Sequence, residues 1–298
     1  MELRHLEAFT VVADELNFRR AAARLRVSQS PLSQQIKRLE REVGATLLYR
    51  TTRHVKLTAA GQAFLAEAQR ALTAARAAPR VARQAAAGQI GTVRVGFTGP
   101  GSYQALLITA RTFRQHRPHV RFDTVRPVLS GELVELLHRD ELDAALIRTP
   151  IATSGLRVRV ITHDAMAAAL PSGHRWAERA SIDLTEFVDQ PIIGYPSGRG
   201  SAIAGVIDSS FINQGINPHI VQEAPDTHTI MLLVGTGAGI GFVPATAGHL
   251  KVPGVVLVPV RGIPPLGLAI AWRPDGRNPA LRALVDLLDD IATECDAH

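Results

Sequence analysis

A segment near the amino terminus combines side chains that can contact DNA bases with side chains that can hold phosphates. One face of a helix predicted between residues 28 and 42 carries hydroxyl and amide groups first and cations later: Ser30, Gln34, Lys37, Arg38 and Arg41. The opposite face carries an apolar stripe at helical spacing: Leu32, Ile36, Leu39 and Val43. Hydroxyl and amide groups hydrogen-bond base edges in the major groove, and Lys and Arg contact phosphates. Taken alone, the pattern also fits an ordinary solvated helix face.

The preceding residues predict two further helices that would position this segment. Apolar residues recur every three or four positions in the first helix: Leu3, Leu6, Phe9, Val12 and Leu16. Asn17 is expected to cap a second helix at residues 18–26, whose Ala21 and Ala22 are small enough to allow close helix crossing. Ser28 is the expected N-cap of the third helix. Two short helices joined by a tight turn predict a helix-turn-helix whose second helix enters the major groove.

A small hairpin, or wing, is predicted after the third helix, where Val55 and Leu57 alternate with polar residues. Its cations, Arg50, Arg53 and Lys56, would then lie near the phosphate backbone or the minor groove. The alternative is a solvated hairpin. Three cations beside a helix-turn-helix favour contact with DNA.

The distribution of charge separates the first third of the chain from the rest. Residues 1–88 contain 15 Lys and Arg against 7 Asp and Glu, a net +8, whereas residues 89–298 contain 18 against 20, a net −2. Basicity confined to one part of the chain is expected where only that part meets a polyanion. At 298 residues, with 46% hydrophobic residues, the chain is long enough for two or three domains with cores of their own.

Cysteine usage and the amino-terminal residues predict a cytoplasmic protein. Cys295 is the single cysteine, which excludes a disulfide within the chain and a zinc cluster built on cysteines. Residues 1–5 carry charge where a signal peptide needs an apolar run. The uncharged stretch at 229–250 contains five glycines and Pro244, so we predict a helix, a turn and a short strand there and not a membrane span.

A long helix is predicted from Thr58, its expected N-cap, to about residue 87. Apolar and small residues form a heptad-like seam along it: Leu65, Ala68, Leu72 and Ala75. Such a seam favours a partner helix from a second copy of the chain, and the alternative is packing on the helix's own domain. Pro79 has no N–H to donate to the Ala75 carbonyl and therefore predicts a kink or a break.

Beyond residue 91, predicted strands and helices alternate. The strands are expected at 92–97, 120–126, 144–147, 157–162, 165–170, 192–195, 219–222, 240–243, 255–259 and 268–272. The helices are expected at 102–117, 130–139, 202–214, 227–236 and 279–295. Alternating strands and helices predict mostly parallel sheets covered by helices. The strand at 157–162 is expected to cross into a second lobe, and the last two strands to return to the first.

Residues 1–65 resemble the winged helix-turn-helix of LysR-type transcriptional regulators over a long, ordered set of positions. The matching residues are Leu6, Phe9, Phe18, Arg19, Arg20, Ala21, Ala22, Leu25, Val27, Ser28, Gln29, Ser30, Leu32, Ser33, Ile36, Leu39, Glu40, Gly44, Leu47, Leu48, Arg50, Leu57, Thr58, Ala59, Ala60 and Gly61. The resemblance extends in weaker form over the rest of the chain.

This resemblance implies three parts. An all-α winged helix-turn-helix DNA-binding domain would occupy residues 1–57, and a linker and dimerisation helix would occupy 58–88. A two-lobed α/β effector domain, similar to periplasmic binding proteins, would occupy 89–298. Lobe I would comprise about 91–161 and 268–298, and lobe II about 162–267. The implied partners are a double-stranded DNA operator with two-fold symmetry, a small-molecule effector and further copies of the chain in a homodimer or homotetramer. RNA polymerase is a further candidate partner, and no cofactor is expected.

Eleven residues are expected to contact DNA: Arg19, Gln29, Ser30, Ser33, Gln34, Lys37, Arg38, Arg41, Arg50, Arg53 and Lys56. The serines and glutamines would address base edges, with glutamine on adenine as the best-fitting pair. The cations would contact phosphates, so that binding weakens steeply as salt rises.

Effector contacts are expected where strands end and helices begin, because ligands of open α/β sheets bind there. The candidate residues are Thr98, Gly101, Ser102, Ser130, Arg148, Ser197 and Ser201. Arg148 could clamp a carboxylate with two parallel hydrogen bonds. Within the resemblance, Ser130 and Arg148 match polar contacts of regulators of aromatic catabolism that bind small carboxylates such as muconate, and Ser102 lies near a third. The glycines of the first loop do not match, so Thr98 or Ser102 would take that role.

Alternatives remain open for these residues. Arg148 could form a surface ion pair with an acid such as Asp143, and the serines could serve as helix caps. Signatures of catalysis are incomplete, because the glycines between 235 and 241 never form GxGxxG and neither a Walker lysine nor GxSxG occurs. His116 and His119 lack a second pair of metal ligands, so no metal site is expected.

We therefore predict a non-enzymatic DNA-binding regulator. The alternatives are a solute-binding or enzymatic α/β protein that carries a basic domain, and an architectural DNA-binding protein without ligand response.

Overall fold

The chain divides into two units, Met1–Gln84 and Ala85–His298. The computed structural model describes residues 1–51, 54–125, 127–196, 198 and 200–297. The first unit contains α1 (Leu3–Glu15), α2 (Phe18–Leu25), α3 (Gln29–Val43), β1 (Leu48–Arg50), β2 (Val55–Leu57) and most of α4 (Ala59–Ala86). β1 and β2 pair antiparallel, from Leu48 opposite Leu57 to Arg50 opposite Val55. The predicted winged helix-turn-helix is confirmed.

The helix caps of the first unit follow the expected residue types only in part. The Asn17 side chain accepts hydrogen bonds from the backbone N–H groups of Arg19 and Arg20, at 2.9 and 3.1 Å. Ser28 occupies the N-cap position of α3, but its side chain makes no capping hydrogen bond. The apolar face of α3 is buried at Leu32, Ile36 and Leu39, whereas Val43 at its end is 37% exposed. The core of this unit therefore lies between α1, α2 and the first three turns of α3.

The helix α4 is continuous through Pro79, so the predicted break is wrong and a kink there stays a prediction. Its start is capped by Thr58, whose hydroxyl accepts a hydrogen bond from Gly61 N–H at 2.8 Å. Ala68 and Leu72 are buried against Leu6 of the same chain. For these two side chains, the helix packs on its own domain, which was the alternative to a partner helix. They are therefore not free to form an intermolecular seam.

The second unit contains two lobes of alternating strands and helices. Lobe I contains β3 (Gly91–Phe97), α5 (Tyr103–His116), β4 (Val120–Thr124), α6 (Ser130–His138), β5 (Ala144–Thr149) and β6 (Arg157–Asp164). Lobe II contains β7 (Met166–Pro171), β8 (Ile182–Asp183), β9 (Ile192–Gly194), α7 (Ala202–Asn213), β10 (Ile220–Glu223), α8 (Thr227–Gly235), β11 (Ile240–Pro244) and β12 (Val255–Arg261). The chain then returns to lobe I with β13 (Leu266–Trp272), α9 (Pro279–Val285) and α10 (Leu288–Asp296).

Each lobe is built on a mixed sheet. The order in lobe I is β4-β3-β5-β13-β6, with β13 antiparallel to both neighbours. The order in lobe II is β10-β9-β11-β7-β12-β8, with β7 antiparallel to β11 and β12. The prediction of mostly parallel sheets is therefore too simple. Of the two strands expected to return to the first lobe only β13 does so, because β12 pairs with β7 and β8 of lobe II.

One detail of the second unit differs from the sequence-based expectation, and another agrees with it. The single closing helix is divided into α9 and α10, with Asp286 at the end of the first. The glycine-rich stretch after α8 is a turn that leads into β11, as predicted. Across the described residues, no helix combines the length and the apolar character that a membrane crossing needs.

Candidate DNA interface and ligand pocket

The predicted DNA-contacting residues of the first unit lie mainly on the exposed face of α3. Six of them on α3 are exposed: Gln29, Ser30, Gln34, Lys37, Arg38 and Arg41. Ser33 is half-buried, and Arg19 on α2 and Lys56 on β2 are exposed. Arg53 lies outside the described residues. Hydroxyl and amide groups thus occupy the amino-terminal part of α3 and cations follow, an arrangement suited to contacting bases first and phosphates beyond them.

The cations at the end of α3 have weak partners within the helix. The Arg38 Nε lies 3.1 Å from a Glu42 carboxylate oxygen, one turn along the helix, and Arg38 is 61% exposed. Arg41 Nε donates to the Lys37 carbonyl at 3.4 Å. Exposed pairs of this kind contribute at most about 1 kcal/mol, so a phosphate can replace these partners at little cost.

Arg50 differs from the other predicted phosphate contacts because its partners lie inside the fold. Its side chain is 24% exposed, and its Nη2 donates to the Glu40 carboxylate at 2.5 Å. Its guanidinium carbon lies 5.1 Å from the centre of the Phe18 ring. Less of this guanidinium is available to DNA than the sequence pattern suggested. Contact with phosphate stays a prediction for Arg50.

The second unit contains a cavity of about 480 Å³ between the two lobes. Four predicted effector residues line it: Thr98, Ser130, Arg148 and Ser201. Much of the remaining wall is apolar or aromatic: Pro100, Tyr103, Pro127, Val128, Ile203 and Leu250. A cavity of this size with an apolar body and a few convergent polar groups fits a small organic ligand.

Arg148 is the most deeply buried charged group of this cavity, at 2% exposure. Its Nη2 donates to Asp164 at 2.9 Å and to the Gly101 carbonyl, whereas its Nε and Nη1 have no hydrogen-bond partner. Burial lowers the pKa of the guanidinium, and the Asp164 carboxylate acts in the opposite direction. Arginine stays protonated in proteins, so the cavity is lined by a cation with two donor nitrogens that have no partner. An unpaired buried donor is costly, and a ligand acceptor would remove that cost.

Ser130 and Asp164 fix the backbone and the head group of Arg148. The Ser130 hydroxyl oxygen accepts a hydrogen bond from the Arg148 backbone N–H at 3.0 Å. Asp164 also accepts bonds from the backbone N–H and the hydroxyl of Thr246 in lobe II. The ion pair therefore joins the end of β5, the end of β6 and lobe II.

The alternative of a surface ion pair between Arg148 and Asp143 is wrong. Asp143 is buried and accepts hydrogen bonds from the Arg94 backbone N–H at 2.7 Å and from the Arg94 guanidinium at 3.0 and 3.1 Å. Arg148 pairs with Asp164, and that pair is inside the protein.

The remaining effector candidates occupy different places. Gly101 and Arg148 line a second cavity of about 400 Å³, and Gly101 contributes its carbonyl to Arg148. Ser102 is fully buried, and its hydroxyl donates to the Gly99 carbonyl at 2.9 Å. Ser201 caps α7 by accepting the Ala204 N–H at 3.2 Å, which is the capping alternative. Ser197 lies outside the described residues.

Sequence inspection missed a pair of hydroxyl groups in the cavity wall. The Tyr195 and Thr227 oxygens are 2.8 Å apart, and both side chains are buried. Burial raises the pKa of the Tyr195 phenol, which stays a neutral donor or acceptor at physiological pH. The proximity of 195 to 227 depends on the adjacent packing of β9 and α8, and no local pattern indicates it. The described residues contain no group of three or more His, Cys, Asp or Glu placed to hold a metal ion.

Comparison with known proteins gives concordant matches for both units. Residues 3–62 match the family model "Bacterial regulatory helix-turn-helix protein, lysR family", and residues 86–292 match "LysR substrate binding domain". The HTH-type transcriptional regulator ShiR of Corynebacterium glutamicum is 37% identical, over 98% of this chain and 99% of ShiR. AlsR of Bacillus subtilis is 34% identical, over 96% and 95% of the two chains. The crystal structure of full-length CbnR complexed with the target DNA has a TM-score of 0.79 at 27% identity, over 98% of this chain and 100% of CbnR.

Proposed function

Because the chain belongs to the LysR family of DNA-binding transcriptional regulators, we propose that it binds a two-fold operator as a dimer or tetramer under the control of a small carboxylate. The family consists of regulators, so the alternative of an enzyme that carries a basic domain is set aside. The observation that carries the proposal for the effector is the buried Arg148, which lines the cavity between the lobes and has two guanidinium nitrogens, Nε and Nη1, without hydrogen-bond partners.

On the DNA side, the proposal assigns base contacts to Gln29, Ser30, Ser33 and Gln34, and phosphate contacts to the surrounding cations. The exposed positions of Gln29, Ser30 and Gln34 on α3 support it, as do the net charge of the first unit and the likeness to CbnR, which was solved with target DNA. Each phosphate contact releases counterions, so the logarithm of the association constant should fall linearly with the logarithm of the salt concentration.

On the ligand side, the proposal places the carboxylate of the effector on Arg148 and Ser130 and its apolar part against the proline and aliphatic wall. The Ser130 oxygen already accepts the Arg148 N–H, so its own hydroxyl proton can be donated to a ligand oxygen. A ligand that contacts both lobes favours the lobe arrangement in which it binds more tightly. It would thereby alter DNA affinity or DNA bending if the arrangements differ in how they present the DNA-binding units.

For self-association, the proposal uses the side of α4 that is not covered by its own domain. At 100° per residue, this side is opposite Ala68 and combines small or apolar residues with polar ones. The small or apolar residues are Ala59, Ala63, Ala66, Ala74, Ala77 and Val81, and the polar ones are Gln62, Arg70, Thr73, Arg80 and Gln84. Small residues allow two helices to approach closely. Leu65 and Ala75 are half-buried on the covered side and stay predictions as dimer contacts.

The test of the regulatory function is a footprint on the DNA upstream of the gene, with and without a pool of small carboxylic acids. We expect a protected site with two-fold symmetry, a steep loss of affinity with salt, and a change in the extent of protection with at least one acid. Protection that is insensitive to every acid would favour the architectural alternative. Binding that does not weaken with salt would contradict the assigned phosphate contacts.

The test of the dimer face is Ala66→Glu, compared with Ala71→Glu, which makes the same change on an exposed position of α4 closer to the covered side. Sedimentation analysis should show that Ala66→Glu weakens dimerisation at least about tenfold, because a long charged side chain would replace a methyl group where two helices approach closely. Equal dimerisation of the two variants would remove this face from the proposal.

A further inference from the structure

Glu40 is part of α3, but its carboxylate binds the first strand of the wing. Its Oε1 accepts hydrogen bonds from the backbone N–H groups of Leu47 and Leu48, at 3.0 and 3.1 Å. Its Oε2 accepts the Arg50 guanidinium at 2.5 Å, and the Glu40 side chain is only 15% exposed. One carboxylate thus receives three hydrogen bonds from the residues that begin and form β1.

Arg50 extends this contact to α2. Its guanidinium stacks over the ring of Phe18, with 5.1 Å between the guanidinium carbon and the ring centre. Charged hydrogen bonds of this kind are about twice as strong as neutral ones, and a shielded pair is less weakened by salt than a surface pair. The helix-turn-helix and the wing are therefore joined at one ion pair.

The other side of the same segment is joined to α4. The Leu47 carbonyl accepts the Thr58 N–H at 3.0 Å, and the Thr58 hydroxyl donates to the Thr46 carbonyl at 2.7 Å. A Cβ atom at Gly61 would lie 2.0 Å from the Leu47 carbonyl oxygen, so this close approach requires glycine. Residues 46–48 are consequently held between α3 and the start of α4. Glu40 makes the hydrogen bonds that connect them to α3.

We propose that Glu40 is a positioning residue for DNA recognition. It sets the orientation of the wing relative to α3, so that the wing cation Lys56 and the base-contacting residues of α3 reach the same half-site together. Glu40 itself does not contact DNA, because a carboxylate beside phosphates is repelled. The inference rests on the proposed DNA contacts of α3 and the wing.

The sign of the effect on affinity separates positioning from simple electrostatics. On charge alone, removing a carboxylate from the DNA-binding unit should strengthen binding to a polyanion. In Glu40→Gln, the amide oxygen can still accept from Leu47 and Leu48, but the amide NH2 cannot accept from Arg50. Positioning therefore predicts weaker binding although the protein has become more positive.

The matched control is Glu7→Gln on α1. Glu7 is exposed and forms an ion pair with Arg76 at 3.4 Å, so this variant removes the same charge and also breaks a pair with arginine. The probe is a duplex enriched from a random-sequence pool by the wild-type protein, beside a scrambled duplex of equal length. We expect Glu40→Gln to bind the enriched duplex at least about tenfold more weakly than wild type, and Glu7→Gln to bind it equally or more tightly.

Footprints at equal fractional occupancy distinguish a reoriented wing from general damage. For Glu40→Gln we expect loss of hydroxyl-radical protection at the flanks of each half-site, while protection of guanine N7 in the major groove from dimethyl sulfate persists. A proportional loss of both signals, or affinity equal to that of Glu7→Gln, would overturn the inference. If wild type protects no duplex, the proposed function fails as well, which is a distinguishable result.

Arg50→Met is the second variant, to be used also if Glu40→Gln does not fold. It breaks the same ion pair from the wing side and leaves the Glu40 bonds to Leu47 and Leu48. Loss of flanking protection with intact major-groove protection would support the inference, and an unchanged footprint would overturn it. Where both single variants fold, we also expect the double variant to bind DNA no more weakly than the single variant with the lower DNA affinity. Additive losses would mean that the two residues act separately and would also overturn it.

Discussion

Two arginines with carboxylate partners, one in each unit, differ in whether their hydrogen-bonding capacity is used. Arg50 is partly exposed, pairs with Glu40 and stacks on Phe18, and it leaves no buried N–H without a partner among the described residues. Arg148 is almost completely buried, pairs with Asp164 and leaves its Nε and Nη1 without partners. A satisfied cation stabilises the fold that contains it, whereas a buried cation with spare donors is suited to an incoming anion.

The largest effect that tests this comparison is expected from Arg148→Met. It leaves Asp164 buried without its cation, and breaking a buried ion pair from one side costs about 3–5 kcal/mol of unfolding free energy. Urea denaturation monitored by circular dichroism measures this change. Arg139→Met serves as the control, since Arg139 is 64% exposed and its partner Glu135 is 67% exposed, so no buried carboxylate loses its cation and the cost should be smaller. Equal destabilisation by the two variants would show that the burial of Arg148 carries no special cost.

A smaller effect is expected from Arg50→Met compared with Lys56→Met. Arg50→Met should lower the unfolding free energy by about 1–2 kcal/mol, because the hydrogen bond to Glu40 and the contact with Phe18 are lost. Lys56→Met should leave stability unchanged and reduce the slope of the logarithm of the DNA association constant against the logarithm of the salt concentration by about 0.9, the loss of one phosphate contact. The opposite outcome, a normal slope for Lys56→Met and a reduced slope for Arg50→Met with full stability, would exchange their roles.

A third arginine pair predicts that the stability of the fold depends on pH. Burial raises the pKa of Asp143, but the hydrogen bonds from Arg94 outweigh burial, so the net pKa lies below its usual value. A carboxyl with a depressed folded-state pKa stabilises the fold above its unfolded pKa of about 3.9, and this contribution is lost as pH falls through the folded pKa. Asp143→Asn should therefore reduce the unfolding free energy at pH 7. The variant should also lose less of its unfolding free energy than wild type as the pH falls below about 4. Parallel pH profiles for wild type and variant would contradict this assignment.

The smallest effect concerns Cys295, which lines the second cavity beside Arg148. Burial, with Asp296 as a second cause, raises the pKa of this thiol to about 11. Alkylation by iodoacetamide at pH 7, followed by mass spectrometry, should be about a hundredfold slower in the native than in the unfolded protein. Equal rates would contradict the raised pKa.

Local sequence patterns predicted the elements well where periodicity and caps agree. The three helices of the first unit, the wing and most strands of the second unit follow from spacing alone, because each repeat reflects which face is buried. The pairing partner of β12, the division of the closing helix and the short strand β8 depend on contacts between distant residues. No window of sequence contains that information.

The candidate site residues were predictable from sequence where their role depends only on their position at the end of a strand or helix. Arg148 was identified from its place at the end of a strand, yet its partner Asp164 was not, because β5 and β6 are separated in the sheet by β13. Arg50 looked like a phosphate contact because three cations cluster on the wing. Its pairing with Glu40, ten positions earlier, depends on how the chain turns back after α3.

The most direct test of the effector proposal is calorimetric titration of the full-length protein with a panel of small aromatic and alicyclic carboxylic acids and their primary amides. The proposal predicts that at least one acid binds to the wild-type protein and that its amide does not. Arg148→Lys keeps a cation for Asp164 but loses the planar guanidinium, so it should weaken binding of the acid at least about tenfold. Binding of acid and amide with equal affinity, or unchanged binding by Arg148→Lys, would contradict it.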